Sequence, residues 1–291
     1  MTLKILFSDS EMESIKSDYL NGHTISDIAK KHLLSVTPIK TVLKNMGVVS
    51  RPPNITSRKY YVNENYFSLI DTEDKAYFLG LLMADGYNSE TRGVVALALK
   101  REDRYIMEKF SDCICTNKPV LNTKNKDGCL VSRMEICSRI FSDDLVRYGC
   151  VQAKTFKVCF PDFLKDELLR HFIRGFFDGD GCISYCYAKR NNYFNNSFSS
   201  VVTFTSTLDF CLGLKSFLKK ILNINSSLLC RKPENKNNIR TLQVSGNKQV
   251  IKFSEWIYRD TDLFLKRKYD KYQDIINIIK QRKIIISKRT N

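Results

Sequence analysis

The sequence predicts an α+β protein built from two pseudo-symmetric αββαββα half-domains with antiparallel sheets, preceded by a small all-α domain. Three observations lead there. An apolar run ending in an Asp-Gly step occurs twice, as FLGLLMADG over 78–86 and as FIRGFFDGDG over 172–181. The succession of helical and strand-like patterns after the first run recurs after the second. Residues 1–49, by contrast, read as three short helices.

Taken in order, residues 10–21 are helical with Gly22 as a stop, and 24–31 form a second short helix with Ser26 as its N-cap. Residues 37–46 form the third, with Pro38 in its first turn and Gly47 just past its end. This is a helix-turn-helix pattern, whose third helix would present Thr37, Lys40, Thr41 and Lys44 to a DNA major groove. A plain three-helix bundle is the alternative. Residues 50–60 form a linker in which Pro52 and Pro53 disfavour helix, while Arg51, Arg58 and Lys59 can track phosphates.

The first half-domain, 61–160, reads as helix 73–84, strands 87–90 and 94–99, helix 103–115, strands 120–124 and 130–137, and helix 140–148. The second, 161–275, reads as the motif helix, strands 182–188 and 199–206, helix 208–222, strands 226–231 and 240–245, and helix 249–256. Residues 276–291 are expected to form a basic tail.

Charge narrows the function. The 291-residue chain carries 47 Lys+Arg against 31 Asp+Glu, a net charge of +16 spread along its length. That balance points to a polyanionic partner. No run of 18 apolar residues and no signal-like N-terminus occurs, and no basic amphipathic helix dominates, so nucleic acid is expected rather than membrane. A soluble protein of a reducing compartment, cytoplasm or organellar matrix and not secreted, is the corresponding expectation. The ten cysteines agree with it: no C-x2-C pair exists, Cys113 and Cys115 are too close for a usual zinc pair, and Cys137, Cys159 and Cys211 sit in apolar runs as expected buried thiols.

The chemistry lies in the repeated run. Gly80 and Ala84 are four apart, as are Gly175 and Gly179, so each helix carries a stripe nearly free of side chain. Glycine inside a helix costs about 1 kcal/mol relative to alanine, a cost that close packing of two backbones would offset. Pairing of the stripes brings the helix C-termini together, with Gly86 and Gly181 expected to end them in left-handed turns. Asp85 and Asp180 then meet where both helix dipoles are negative. A divalent cation relieves that crowding, and hard oxygen ligands with open positions suit Mg²⁺, with Mn²⁺ as a substitute.

The two runs resemble the paired motifs of LAGLIDADG homing endonucleases in their single-chain form, over about residues 60–275. The resemblance implies that Asp85 and Asp180 are catalytic metal-binding acids in metal-assisted phosphodiester hydrolysis, giving a double-strand break by one chain acting as a monomer on double-stranded DNA. It also implies a lysine late in each half, matched by Lys154 and Lys268, with Lys157 and Lys266 as substitutes. Lys100 and Thr205-Ser206 are further polar groups near the centre. At the sixth motif position Asp178 stands in the second copy and Met83 in the first, so the copies have diverged and an asymmetric DNA target is expected. None of His23, His32 and His171 lies at the acids to serve as a general base.

The family's saddle-shaped sheets would supply the DNA readers: Arg92, Lys100, Lys124, Lys126 and Arg133 in the first half. In the second they are Lys189, Arg190, Asn191, Asn192, Tyr193 and Asn195 in one hairpin tip, and Arg231, Lys232, Lys236 and Arg240 around the other. A non-cleaving DNA-binding regulator or an RNA maturase on the same scaffold is the competing reading. An intein endonuclease is less favoured, because the sequence runs from Met1 to Thr290-Asn291 without a His-Asn splice ending; a free-standing enzyme fits better.

Overall fold

A computed structural model describes residues 7–49, 60–188, 197–230 and 237–287. The expected linker, apart from Tyr60, lies outside the described residues, as do Arg51, Lys189, Arg190, Asn191, Asn192, Tyr193, Asn195, Arg231, Lys232 and Lys236. The chain divides into two units, one of residues 1–63 with 114–118 and one of 64–113 with 119–291. Residues 61–63 therefore group with the N-terminal unit, and the first half-domain begins at Glu64.

The N-terminal unit contains α1 (Asp9–Leu20), α2 (Ile25–Lys31) and α3 (Val36–Asn45). Ser8 and Glu11 form a reciprocal capping box at the start of α1. Thr24, not Ser26, caps α2, its hydroxyl accepting from the Asp27 N–H at 3.1 Å. Ser26 stands two positions further on and already lies inside the first turn. Ile15, Tyr19, Ile28, Ala29, Ile39, Val42 and Leu43 form the core of this unit. Thr37, Lys40, Thr41 and Lys44 lie on the opposite, exposed side of α3.

Between α2 and α3, Leu33 has φ +55° and is 93% exposed. A left-handed conformation costs a leucine roughly 1 kcal/mol, and asparagine tolerates it. Leu33→Asn should therefore slow amide exchange of α2 and α3 in the full chain about fivefold. Unchanged or faster exchange would show that Leu33 contributes packing there.

In the larger unit the two copies of the repeat fold alike. The first runs α4 (Glu73–Asp85), β1 (Tyr87–Ser89), β2 (Val94–Lys100), a 3₁₀ turn (Arg101–Asp103), α5 (Arg104–Cys113), β3 (Leu121–Lys124), β4 (Leu130–Cys137) and α6 (Arg139–Arg147). A 3₁₀ turn (Lys154–Phe156) leads to the second: α7 (Asp166–Asp180), β5 (Gly181–Ala188), β6 (Ser197–Thr207), α8 (Leu208–Leu222), β7 (Ser227–Leu229), β8 (Ile239–Ser245) and α9 (Asn247–Tyr258). The sheets have the same antiparallel order, β1-β2-β4-β3 and β5-β6-β8-β7. A last helix, α10 (Lys266–Ser287), passes through the segment expected to begin a tail at 276. Ile275 and Tyr272 are buried on it, so packing holds a helix whose charge alone suggested a solvated end.

Strand alternation gives each sheet a core face and an open face. Val95, Leu97, Met134 and Ile136 point inward in the first, as do Val202, Phe204, Leu242 and Val244 in the second. Cys137 is exposed because its parity places it opposite these residues, and Cys159 is exposed in a loop, so neither is a buried thiol; Cys150 and Cys211 are buried. Among the described residues no helix is long and apolar enough to cross a membrane.

His171, on α7, is 2% exposed. Its Nε2 lies 3.2 Å from an Arg170 guanidinium nitrogen and its Nδ1 3.3 Å from a Glu73 carboxylate oxygen. Burial, with the charges of Arg174 and Arg170, pushes its pKa down to about 3. The unfolded chain therefore binds a proton that the folded one refuses between about pH 6.5 and 3. This contribution is intact above that window and is lost as pH falls through it, with a slope of at most about 1.4 kcal/mol per pH unit. Urea midpoints against pH should fall less steeply in His171→Gln than in the wild type. Parallel curves would show that His171 titrates normally.

Candidate functional site

The helix pair α4–α7 is the foundation of the site. Hydrophobic burial places Phe78, Leu81 and Leu82 of α4, and Phe172, Phe176 and Phe177 of α7, in the core. The small residues then let the backbones meet. A Cβ on Gly80 would lie 2.1 Å from the Phe172 carbonyl oxygen, and one on Gly175 would lie 1.9 Å from the Tyr77 carbonyl oxygen. Gly179 faces Ala84: a Cβ there would stand 2.3 Å from the Ala84 methyl and 3.3 Å from an Asp85 carboxylate oxygen. Asp85 of one helix thus lies against the residue preceding Asp180 of the other.

Gly86 and Gly181 end the helices differently from expectation. Both are extended, with φ near −74° and −81°, so left-handed freedom is not their purpose. A Cβ at Gly86 would be 2.5 Å from the Leu82 carbonyl oxygen, and one at Gly181 2.1 Å from the Phe177 ring. The chain has to turn directly from helix into strand β1 or β5 under its own last turn, and only glycine leaves room.

The carboxylates of Asp85 and Asp180 each keep an open face. The helix ends packed around them still strip away much of their water. Burial first, and then the charge of Asp180, raise the Asp85 pKa to about 6; Lys268, Lys154 and Arg267 oppose the shift. Burial raises Asp180 as well, against the charges of Lys154 and Lys268.

A lysine stands at each helix end. Lys154 Nζ donates to the Gly86 carbonyl. Lys268 Nζ donates to the Gly181 carbonyl at 2.5 Å and to the Asp178 carbonyl at 2.8 Å. The two glycines occupy matching motif positions, so the two lysines are placed equivalently. They differ in setting: Lys268 is buried on α10, whereas Lys154 is half-buried and opens a 3₁₀ turn after Ala153, whose φ is +54°. Burial pulls Lys268 down to about 8, with Asp178 acting in the opposite direction. The substitutes Lys157 and Lys266 are both exposed, and it is Lys154 and Lys268 whose ammonium groups reach the Gly86 and Gly181 carbonyls.

Asp178 is fully buried and held at a raised pKa of about 6 by that burial. One oxygen accepts from the Tyr77 hydroxyl at 2.8 Å and from the Leu265 N–H at 2.9 Å. Its role is therefore to tie α4, α7 and the start of α10 together. Arg174 completes this buried group, lying over the Tyr77 ring and donating to the Leu263 carbonyl at 2.8 Å. Met83, at the matching position, is also buried, with Gly149 beside it, and needs no such partners. These contacts join segments far apart in sequence, and the Asp178–Met83 difference was their only visible trace.

The fit to a divalent cation follows from the donors. Two crowded carboxylates with raised pKa values sit at the negative ends of two helices, where added positive charge is favourable. Among the described residues no group of three or more His, Cys, Asp or Glu is placed to hold a metal ion. Two hard oxygen donors with room for water and phosphate suit Mg²⁺ better than a closed zinc cage. Asp85 and Asp180 are the residues that could hold it.

The other expected residues spread over the sheets. Arg133 projects from the open face of β4, paired with Glu135 at 2.5 Å. Lys100 is exposed at the end of β2, 3.9 Å from Glu102, and Lys124 and Lys126 are exposed at the β3–β4 hairpin. Arg92 is exposed but folds back on Ser89 and Tyr87. Arg240 departs from expectation: it registers with Ser206 on the core-facing side of β8, and its guanidinium donates to the Asn237 and Ile239 carbonyls. Thr203, Thr205 and Gln243, one parity over, form the open face instead, with Thr205 and Thr241 hydroxyls 3.1 Å apart. Ser206 is buried.

Two half-domains are joined through paired glycine helices, with one carboxylate from each at the seam. Residues 167–258, within the second half of the chain, match the family described as LAGLIDADG-like domain. The first half repeats its element and strand order. Among solved structures, the I-LtrWI LAGLIDADG homing endonuclease bound to target DNA aligns with 75% of this chain and 92% of its own, at 13% identity and a TM-score of 0.49. The LAGLIDADG meganuclease I-AabMI bound to uncleaved DNA aligns with 71% and 90%, at 13% identity and 0.49. I-SmaMI bound to an uncleaved DNA target with calcium ions aligns with 74% and 93%, at 13% identity and 0.48. No curated protein matches.

Proposed function

We propose that this chain is a site-specific DNA endonuclease that makes a double-strand break by divalent-metal-dependent phosphodiester hydrolysis. The observation that carries the reading is the meeting of Asp85 and Asp180 at paired helix ends, each beside a lysine on the matching glycine carbonyl. Bound Mg²⁺, with Mn²⁺ as a substitute, would supply Lewis acidity at the scissile phosphate. Asp85 and Asp180 would hold the cation, one carboxylate from each half serving both strands. Lys154 and Lys268 would place positive charge beside the phosphate, where charge builds as the bond to the leaving oxygen breaks. Lys268, with its pKa near 8, can hold a proton at neutral pH and is close to releasing one.

The open sheet faces, with Arg133, Lys100, Thr203, Thr205 and Gln243, would lie along the duplex and read it, and the +16 charge would draw it in. The exposed face of α3 would add a second contact through Thr37, Lys40, Thr41 and Lys44. The different residues on the two faces support an asymmetric target. The test is selection from a randomised duplex library in Mg²⁺, collecting DNA that is bound and DNA that is cut. Cut duplexes sharing one sequence are expected. Enrichment of bound, uncut sequences alone would favour a DNA-binding regulator.

A further inference from the structure

We propose that the lysine at each helix end is positioned by the opposite half-domain, and that Tyr105 of the first half is the positioning residue for Lys268 of the second. The contacts run across the pseudo-symmetric seam. Lys268 lies in the first turn of α10, and that turn is clamped by the stretch following β2. The Tyr105 hydroxyl donates to the Phe264 carbonyl at 2.9 Å and accepts from the Lys266 N–H at 2.5 Å. Asp103, 1% exposed, accepts from Arg267 Nε at 3.0 Å. Lys109 pairs with Asp262 at 2.6 Å.

The bond from the Lys266 N–H satisfies a donor that a helix start leaves without an intrahelical partner. These contacts also fix the direction in which Lys268 enters the seam. Asp178 adds the Leu265 N–H from the other side. The reciprocal brace is present but lighter. At the end of β6 the Thr207 hydroxyl donates to the Val158 carbonyl, and just before β8 the Asn238 side chain donates to the Phe156 carbonyl at 3.1 Å, steadying the segment that carries Lys154. No acid-base pair comparable to Asp103–Arg267 is seen there among the described residues.

Tyr105 touches neither carboxylate nor the lysine ammonium, so it acts through the backbone of residues 264–266. Its removal should loosen one lysine and not the other. Tyr105→Phe tests this, with Asp103→Asn as a second variant should the first fail to fold. In metal-free protein, acetic anhydride labelling read by mass spectrometry should rise about tenfold at Lys268, which is 6% exposed in the wild type, and stay unchanged at Lys154. On the selected duplex with each strand labelled, one strand should be cut about tenfold more slowly, leaving nicked DNA, with binding and melting temperature nearly unchanged.

A general loss of stability would slow both strands together. The strand-cutting arm rests on the endonuclease reading; the labelling arm does not. Wild-type protein that cuts neither strand would overturn that reading while leaving the positioning of Lys268 to be decided by labelling. Equal slowing of both strands, or unchanged labelling at Lys268, would overturn the proposal.

Discussion

Asp85→Asn and Asp180→Asn are each expected to abolish cleavage of both strands while leaving DNA binding intact. Each carboxylate would serve a site shared between the copies, so one substitution disables both strands and not half of the reaction. Losing a charged metal ligand removes several kcal/mol of transition-state stabilisation, which at 1.36 kcal/mol per tenfold is on the order of 10³-fold in rate. The amide keeps the shape and part of the hydrogen-bonding capacity of the acid, so the fold should not suffer.

Stability should in fact rise. The Asp85 pKa is raised to about 6 from a normal 3.8, so its ionisation in the folded protein is disfavoured. That penalty grows as pH climbs through this window and is fully present at pH 7. Metal-free Asp85→Asn should therefore melt no lower than the wild type at pH 7, and Mg²⁺ should stabilise the wild type more than the variant. Strand cleavage, gel-shift and melting curves on the same preparations check all three points. Cleavage retained in either variant would remove Asp85 or Asp180 from the site.

Gly175→Ala should be among the most damaging small substitutions in the chain. Its methyl would stand 1.9 Å from the Tyr77 carbonyl oxygen and 2.9 Å from the Leu81 backbone nitrogen. Both are backbone atoms of the facing helix, so neither can swing aside. Relief requires α4 and α7 to part along their shared length, which breaks core packing and separates Asp85 from Asp180. A destabilisation of about 3 kcal/mol or more is expected, with cleavage lost at temperatures where the variant is still folded. Gly128→Ala is the control: nothing lies within 4 Å of its added Cβ, and only its φ of +79° opposes the change. It should cost about 1 kcal/mol and leave cleavage unaffected. If Gly175→Ala behaves like Gly128→Ala in urea denaturation, the close approach of the helices is not what holds the seam.

Much of this architecture was legible because it is written twice. The strand at 130–137 and the helix at 208–222 fall where alternation and helical periodicity place them, and the paired motif helices follow from their small residues. What escaped depends on partners remote in sequence. The helix α10 looks like a charged tail until Tyr272 and Ile275 find a core to enter. The strand parity of Cys137 and Arg240 could not be fixed from their own neighbourhoods, and one step of parity moves a side chain to the other face. Gly86 and Gly181 were expected to end the helices in left-handed turns, but both are extended, and the constraint on them is steric and not one of handedness. Lys154 and Lys268 stand at matching helix ends in the structure, yet nothing in their flanking residues indicates that the opposite half holds them there.

The most direct measurement is strand-resolved cleavage of the selected duplex by wild-type protein across a Mg²⁺ titration, with EDTA as the blank. Both strands should be cut at fixed positions, and neither in EDTA. A duplex that is bound tightly but stays intact at every Mg²⁺ and Mn²⁺ concentration, or cutting that continues in EDTA, would contradict a shared metal site at Asp85 and Asp180.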